Sequence, residues 1–167
     1  MNILYLVSMK NILLTVLLVC TAVAAQAHGL DSAQLAREFI ESIKSGKIDS
    51  LKKLLAPPEV YRKVSPKETE QLTDSEIITH TAGNPRLQAD FDSLLSAAKT
   101  KKVDLNKLQY DSVKVENVWG DEQAPWAMMI YYSYKGKSST LGISVIRFEG
   151  SWYFMEMLTN ANAFKEF

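Results

Sequence analysis

The chain has 167 residues, and its 19 basic residues balance 19 acidic ones, so its formal net charge is zero. With 47% hydrophobic residues, this length and composition are typical of one globular domain. The balanced charge argues against a nucleic-acid or anionic-membrane partner, because both call for a basic surface. We therefore expect a single domain with no nucleic-acid partner.

The N-terminal segment has the three parts of a secretory signal. A basic start at residues 9–11 is followed by the apolar run 12–20, and the segment closes on the small residues Ala25 and Ala27. We expect residues 1–27 to be a signal peptide. We also expect translation of the natural protein to begin at Met9, so that residues 1–8 are an upstream extension. Residues 28–167 then form the exported domain, in the periplasm or outside the cell.

A single transmembrane anchor is the alternative interpretation of this segment. The apolar stretch at 12–25 is shorter than the roughly 20 residues that span a bilayer, so we expect cleavage and no stable anchor afterwards. The small residues permit cleavage after Ala25 or after Ala27. Either cut removes Cys20, the only cysteine, so the exported chain has no thiol for a disulfide, a nucleophile or a metal.

The first half of the exported chain has helical periodicity. Asp31 and Gln34 predict a capping box, in which each side chain accepts a hydrogen bond from a free backbone N–H, and Gly46 predicts the end of that helix. The apolar residues between these signals fall on one helical face: Leu35, Ala36, Phe39, Ile40 and Ile43.

Shorter helices precede a second long one. We predict a short helix over residues 49–55, ended by the prolines at 57–58, and helix starts at Ser65 and Thr73. Asn84 followed by proline opens the last helix, whose apolar stripe is Leu87, Phe91, Leu94, Leu95 and Ala98.

From about residue 105 the apolar period changes to two, which predicts β-strands. Turn signals at residues 120–121, 135–137 and 149–150 separate four strands: 113–119, 126–134, 138–148 and 151–158. Gly142 lies within a strand, where glycine indicates a bulge or sharp curvature. The sequence therefore predicts an α+β domain with N-terminal helices packed on a curved four-stranded antiparallel meander sheet.

A two-residue turn at 149–150 predicts which residues lie opposite each other in the last hairpin. Arg147 then pairs with Trp152, Val145 with Phe154, and Ile143 with Glu156. The face that holds these residues also holds Trp126, Tyr132, Tyr134 and Leu141, and the other face holds Met129, Tyr131, Ile146, Phe148, Tyr153, Met155 and Met157. Since both faces are apolar, helices cover one, and the middle helices, a second subunit or a ligand must cover the other.

Two segments resemble the nuclear transport factor 2-like proteins. Residues 45–57, which follow the opening amphipathic helix, are similar to the start of that family, and the hairpin at 147–154 is similar to the end of its curved sheet. The resemblance implies a cone-shaped fold with a pocket between sheet and helices, and often a homodimer. Because that fold carries isomerases, dehydratases and binding modules, it does not define an activity.

The candidate binding residues lie on the predicted sheet. Trp126, Tyr132 and Trp152 would line a pocket for a small apolar ligand or a protein partner. Arg147 and Glu156 would be the polar groups that orient the bound ligand. In the alternative, the aromatic residues belong to the core and Arg147 stacks on Trp152 as a cation–π pair.

Three functions remain open from the sequence. We favour a binding or interaction module without a cofactor over an enzyme, because no serine-hydrolase, zinc-protease or phosphate-loop motif is present. The second is an isomerase or lyase that uses Glu156 and Tyr132 for proton transfer. The third is a copper-handling protein, in which a new N-terminal His28 and His80 would supply nitrogen ligands.

Overall fold

The computed structural model describes residues 29–117, 120, 125–158 and 163–167. The predicted signal peptide and His28 lie outside these residues. Six helices and four strands follow one another in the described chain: α1 Ser32–Ser45, α2 Ile48–Lys52, α3 Pro58–Val64, α4 Pro66–Thr69, α5 Asp74–His80, α6 Pro85–Thr100, β1 Gln109–Glu116, β2 Trp126–Tyr134, β3 Lys137–Phe148 and β4 Ser151–Met157. A short 3-10 helix, Leu105–Lys107, precedes β1. None of the described helices is long and apolar enough to cross a membrane.

The strands form one antiparallel meander in the order β1-β2-β3-β4, which confirms the predicted α+β class. The two predicted hairpins have tight turns at Lys135-Gly136 and Glu149-Gly150, and all four turn residues have positive φ. Positive φ at both central positions gives a turn whose twist matches that of the strands. Glycine at the second position makes this backbone favourable and fixes the register of each hairpin.

The helix signals place the main helices correctly. Asp31 and Gln34 form the predicted capping box at α1, and Gly46 ends that helix in the left-handed region with φ of 64°. Thr73 and Glu76 form a second box at α5, and the Asn84 side chain caps α6. Helix α2 ends at Lys52, so the prediction that it runs to residue 55 and is ended by the prolines is wrong. Pro58 instead occupies the first turn of a further helix, α3.

One face of the sheet, the first face, carries the main hydrophobic core. Helix α1 packs on β1 and β4, and α6 also contacts β4. The largest fully buried side chains include Phe39 of α1, Phe91 of α6 and Phe154 of β4. The rings of Phe39 and Phe154 lie 5.5 Å apart. The predicted helix stripes therefore bury themselves on the face where the sequence placed the aromatic strand residues.

The second face has a smaller core of its own. Val60 and Tyr61 of α3 and Ile77 of α5 pack with Ile146 of β3, and Phe148, Tyr153 and Met155 lie partly buried beside them. Of the three coverings that the sequence left open, the middle helices cover this part of the second face. Tyr131 of β2 lies on the same face beyond them and is 37% exposed.

A β-bulge in β4 changes the predicted register. Val145 pairs with Phe154 as expected, but Ser144 then pairs with Glu156, so Met155 is the extra residue. The prediction that Glu156 faces Ile143 is therefore wrong, because Ile143 pairs with Met157. One extra residue exchanges the faces of everything that follows it, so Glu156 moves to the second face and Met157 to the first.

Gly142 has a different role from the one expected. Its strand pairing is regular, since Gly142 lies opposite Met129 with no register shift. Its carbonyl accepts a hydrogen bond from the Leu158 N–H at 3.0 Å, and a Cβ added there would lie 3.4 Å from the Leu158 side chain. The chain that leaves β4 therefore runs directly beside Gly142, and the bulge lies on the neighbouring strand.

Candidate functional site

The structure brings together three of the five predicted binding residues at one end of the first face. The rings of Trp126 and Trp152 meet edge to face with centroids 5.5 Å apart. Arg147 lies over the Trp152 ring, with its Cζ atom 5.7 Å from the centroid. The indole Nε1 of Trp126 is buried and has no hydrogen-bond partner among the described residues. This arrangement is the cation–π pair that the core interpretation predicted.

Tyr132 lies on the same face but is enclosed by the C-terminal residues. It is 0% exposed, and its hydroxyl donates a hydrogen bond to the Ala163 carbonyl. The edges of Phe164 and Phe167 pack on its ring. Burial raises the pKa of Tyr132 to about 12, and a hydrogen bond with Ser139 opposes that rise. In this structure Tyr132 is a core residue with a satisfied hydroxyl.

Glu156 lies away from the other four, on the second face, because of the bulge. There it lines a cavity of about 250 Å³ between β4, α3, the end of α5 and the start of α6. A second cavity of about 270 Å³ adjoins it and shares four lining residues with it: Tyr61, His80, Thr81 and Met155. We call the two cavities together the second-face groove.

One arm of the groove is the more polar of the two, although Leu87, Met155 and Met157 also line it. Its walls include Glu156, Asn84 and the side chains of Arg86 and Asp90 from the first turns of α6. Arg86 Nε lies 3.7 Å from Asp90 Oδ2, so these two charges form an i,i+4 pair. The Asn84 side chain already accepts a hydrogen bond from the Arg86 backbone N–H at 2.9 Å. Glu156 forms no salt bridge with a described residue and remains exposed.

The other arm is largely apolar. Leu72, Ile77 and Met155 form its walls, with Thr69 and Glu68 beside them. The Thr69 hydroxyl donates to the Ser65 carbonyl at 2.8 Å, so its donor is used within α4. An apolar ligand group would therefore find an arm with few free polar atoms.

Tyr61 stands where the two arms meet. It is only 9% exposed, and it lines both cavities. Burial raises the pKa of its hydroxyl to about 12, and the negative charge of Glu156 adds to that rise. No described residue forms a hydrogen bond with this hydroxyl. A nine-tenths buried phenol with a free hydroxyl is what distinguishes the groove from the closed environment of Tyr132.

His80 is the last residue of α5 and lies in the shared part of the groove, on the exposed side. It does not form a metal site there, since no cluster of three His, Cys, Asp or Glu side chains that could hold an ion exists within the described ranges. The copper hypothesis also needs His28, which lies outside them.

Tyr61 and His80 were not among the binding residues predicted from sequence. The signal for Tyr61 is present, because Pro58 suits the first turn of a helix and Val60, Tyr61 and Val64 then have the spacing of one helical face. The sequence gives no comparable signal for the β4 bulge, which places Glu156 in the groove.

Comparison with known proteins gives no match, either to a protein family, to a curated protein or to a solved structure. The resemblance to the nuclear transport factor 2-like proteins stays a prediction. The function must therefore be argued from the residues of the groove.

Proposed function

We propose that this protein is a binding module for a small amphipathic molecule, which it holds in the second-face groove. The observation that carries the proposal is the free hydroxyl of Tyr61, whose side chain is nine-tenths buried while the hydroxyl opens into the groove where the more polar and the apolar arm meet. Apolar walls with a few convergent polar groups are typical of ligand sites. The hydroxyl opens into the groove, so a ligand atom can take the place of solvent as its hydrogen-bond partner.

The size of the groove limits the ligand. A cavity of about 250 Å³ holds on the order of eight water-sized groups at about 30 Å³ each. The ligand we propose is thus small, with a polar head beside Glu156 and a short apolar tail beside Leu72 and Ile77. It differs from the pocket predicted from sequence, which used Trp126, Tyr132 and Trp152 on the opposite face.

Calorimetric titration with a short-chain amphiphile such as 1-octanol tests the proposal. We expect saturable binding that Tyr61→Phe weakens several-fold, because the phenol no longer pairs with the head group. Tyr131→Phe is the matched control, since Tyr131 is an exposed tyrosine on the same face outside the groove. No saturable binding, or equal loss in the two variants, contradicts the proposal.

The apolar arm has its own pair of variants. Leu72→Gln places a polar group in the arm, whereas Ile78→Gln changes a residue of α5 that is 49% exposed and does not line the groove. We expect the first to weaken octanol binding and the second to leave it unchanged. The reverse result places the ligand elsewhere.

One observation favours a second function, proton transfer of the isomerase or lyase type. Tyr61, His80 and Glu156 line one cavity, so a carboxylate, a phenol and an imidazole face the same space. Tyr61 thereby takes the place that the sequence hypothesis gave to Tyr132. The test is deuterium uptake at the α-carbon of cyclohexanone in deuterated water, where exchange that Glu156→Gln abolishes supports an enzyme and exchange at the uncatalysed rate does not.

We also propose that the chain is exported and has a nuclear transport factor 2-like sheet. The signal pattern at residues 9–27 and the terminal hairpin at 147–154 support these proposals. Mass spectrometry of the protein from its native source tests the first, since an N-terminus at Gln26 or His28 is the expected result and an intact N-terminus contradicts it.

A further inference from the structure

The charges around the groove are unequal, and this bears on the kind of head group it accepts. Three carboxylates line the two arms, those of Glu68, Asp90 and Glu156. Among the described lining residues, the one guanidinium is that of Arg86, which is paired with Asp90 at 3.7 Å. The described walls therefore carry a surplus of negative charge.

That surplus acts on the junction of the arms. Burial is the main cause of the raised pKa of Tyr61, and the negative charge of Glu156 adds to it, so Glu156 makes the potential at the phenol more negative. A potential that opposes a phenolate favours a cation at the same place. Glu156 has no cationic partner among the described residues, so a ligand cation would not compete with an existing ion pair.

The hydrogen-bonding groups have the matching chemistry. An ammonium group has three donors and no acceptor, and therefore needs acceptors around it. The Glu156 carboxylate and the free oxygen of Tyr61 are acceptors, and both line the polar arm. A carboxylate ligand, in contrast, would meet Glu156 as a like charge.

From this arrangement we infer that the ligand of the second-face groove is a small amphiphile with a cationic amine head, held by Glu156 and Tyr61, with its apolar tail beside Leu72, Ile77 and Met155. The inference rests on the proposed function, because it names the ligand class of the same groove. It adds the sign of the head-group charge, which the binding proposal by itself leaves unspecified.

The test compares three ligands of one chain length but different head groups: n-octylamine, 1-octanol and octanoate, each titrated into the full exported domain at neutral pH. We expect the amine, which is protonated there, to bind at least about tenfold more tightly than the alcohol, as a charge-assisted contact allows. Octanoate should bind more weakly than the alcohol.

Glu156→Gln should remove most of the preference for the amine over the alcohol. Glu149→Gln is the matched control, because Glu149 is an exposed glutamate in the β3–β4 turn and does not line the groove. Both residues are exposed, so we expect both variants to keep the circular dichroism spectrum of the parent.

The remaining outcomes separate the two proposals. Equal affinity for amine and alcohol, or tightest binding of octanoate, overturns the cationic ligand while the binding module stands. Amine preference that survives Glu156→Gln overturns the role of Glu156. No saturable binding of any of the three overturns both the inference and the proposed function.

Discussion

Each face of the sheet holds a buried tyrosine whose pKa is raised to about 12, but the two hydroxyls have different surroundings. On the first face the Tyr132 hydroxyl donates to Ala163, and aromatic rings of the C-terminal residues enclose it. On the second face the Tyr61 hydroxyl has no described partner and opens into a groove beside Glu156. A raised pKa thus reports burial on both faces, and only the hydrogen bonds distinguish a structural residue from a candidate ligand contact.

The surrounding elements explain the difference. Long amphipathic helices α1 and α6 cover the first face, and their stripes match the strand residues below them. Short helices of four to seven residues cover the second face, and two of them begin at a proline. Short, separate helices close a surface less completely than long ones, so a groove remains where α3, α5 and α6 meet β4.

The largest effect should come from truncation on the first face. Tyr132→Ala removes a ring that is 0% exposed and should lower the free energy of unfolding by about 3–5 kcal/mol. Urea unfolding followed by circular dichroism measures it. Tyr131→Ala, an exposed tyrosine one position earlier in β2, should change the same quantity by less than about 0.5 kcal/mol. A loss below about 1 kcal/mol for Tyr132→Ala contradicts a closed core there.

Alkaline pH should weaken the fold through both tyrosines. Their pKa in the unfolded chain is the ordinary 10.0, and in the folded chain about 12. Their contribution is therefore fully present below pH 10 and falls as the pH rises from 10 to 12, because the unfolded state loses its protons first. The expected loss is about 2–3 kcal/mol for each tyrosine.

Urea unfolding across this pH range measures the loss, and single substitutions assign it. Tyr61→Phe and Tyr132→Phe should each abolish the part of the alkaline loss that its own tyrosine causes, and the double variant should abolish both parts. Glu156→Gln should reduce only the share of Tyr61, because the charge of Glu156 acts on that phenol. If both Phe variants keep the full alkaline loss, other groups cause it.

Much of this architecture could be predicted from sequence, because its signals are local. The capping boxes at Asp31 and Thr73 and the glycine turns at 136 and 150 each depend on a few neighbouring residues. The period of two after residue 105 gave the meander. These signals act over one turn of chain, and the structure follows them.

The candidate site could not be predicted in the same way. A regular ladder predicts Glu156 opposite Ile143, on the same face as Trp152, and the bulge at Met155 breaks that ladder. The extra residue, Met155, packs against the cluster of α3 and α5 residues on the second face, a contact between segments far apart in sequence. Tyr61 was missed for a related reason, since its helix begins at a proline that was interpreted only as a stop.

At neutral pH, replacing Tyr132 or Tyr61 by phenylalanine should change the free energy of unfolding by different amounts, both smaller than the alkaline loss. Tyr132→Phe removes the hydrogen bond to Ala163 and should cost about 1 kcal/mol of unfolding free energy. Tyr61→Phe breaks no bond with a described residue and should stay within about 0.5 kcal/mol of the parent. The same urea experiment checks both. A larger cost for Tyr61→Phe than for Tyr132→Phe would contradict the comparison, because it would make Tyr61 the structural residue.

The smallest expected effect concerns Arg147, which the sequence offered either as a ligand-orienting group or as a cation over Trp152. The structure has Arg147 Cζ 5.7 Å from the Trp152 ring. A double-mutant cycle of Arg147→Ala and Trp152→Leu should give a coupling energy of about 0.5–1 kcal/mol, as for an exposed cation–π pair.

The same two variants also test whether Arg147 and Trp152 contact the ligand. Neither residue lines the second-face groove, so Arg147→Ala should leave octylamine affinity within about twofold of the parent. If the coupling is near zero and Arg147→Ala weakens binding about tenfold, the ligand lies at the Trp126–Trp152 end of the sheet. That result would restore the pocket predicted from sequence. The free hydroxyl of Tyr61 would then follow from incomplete packing of the short helices and would not mark a ligand contact.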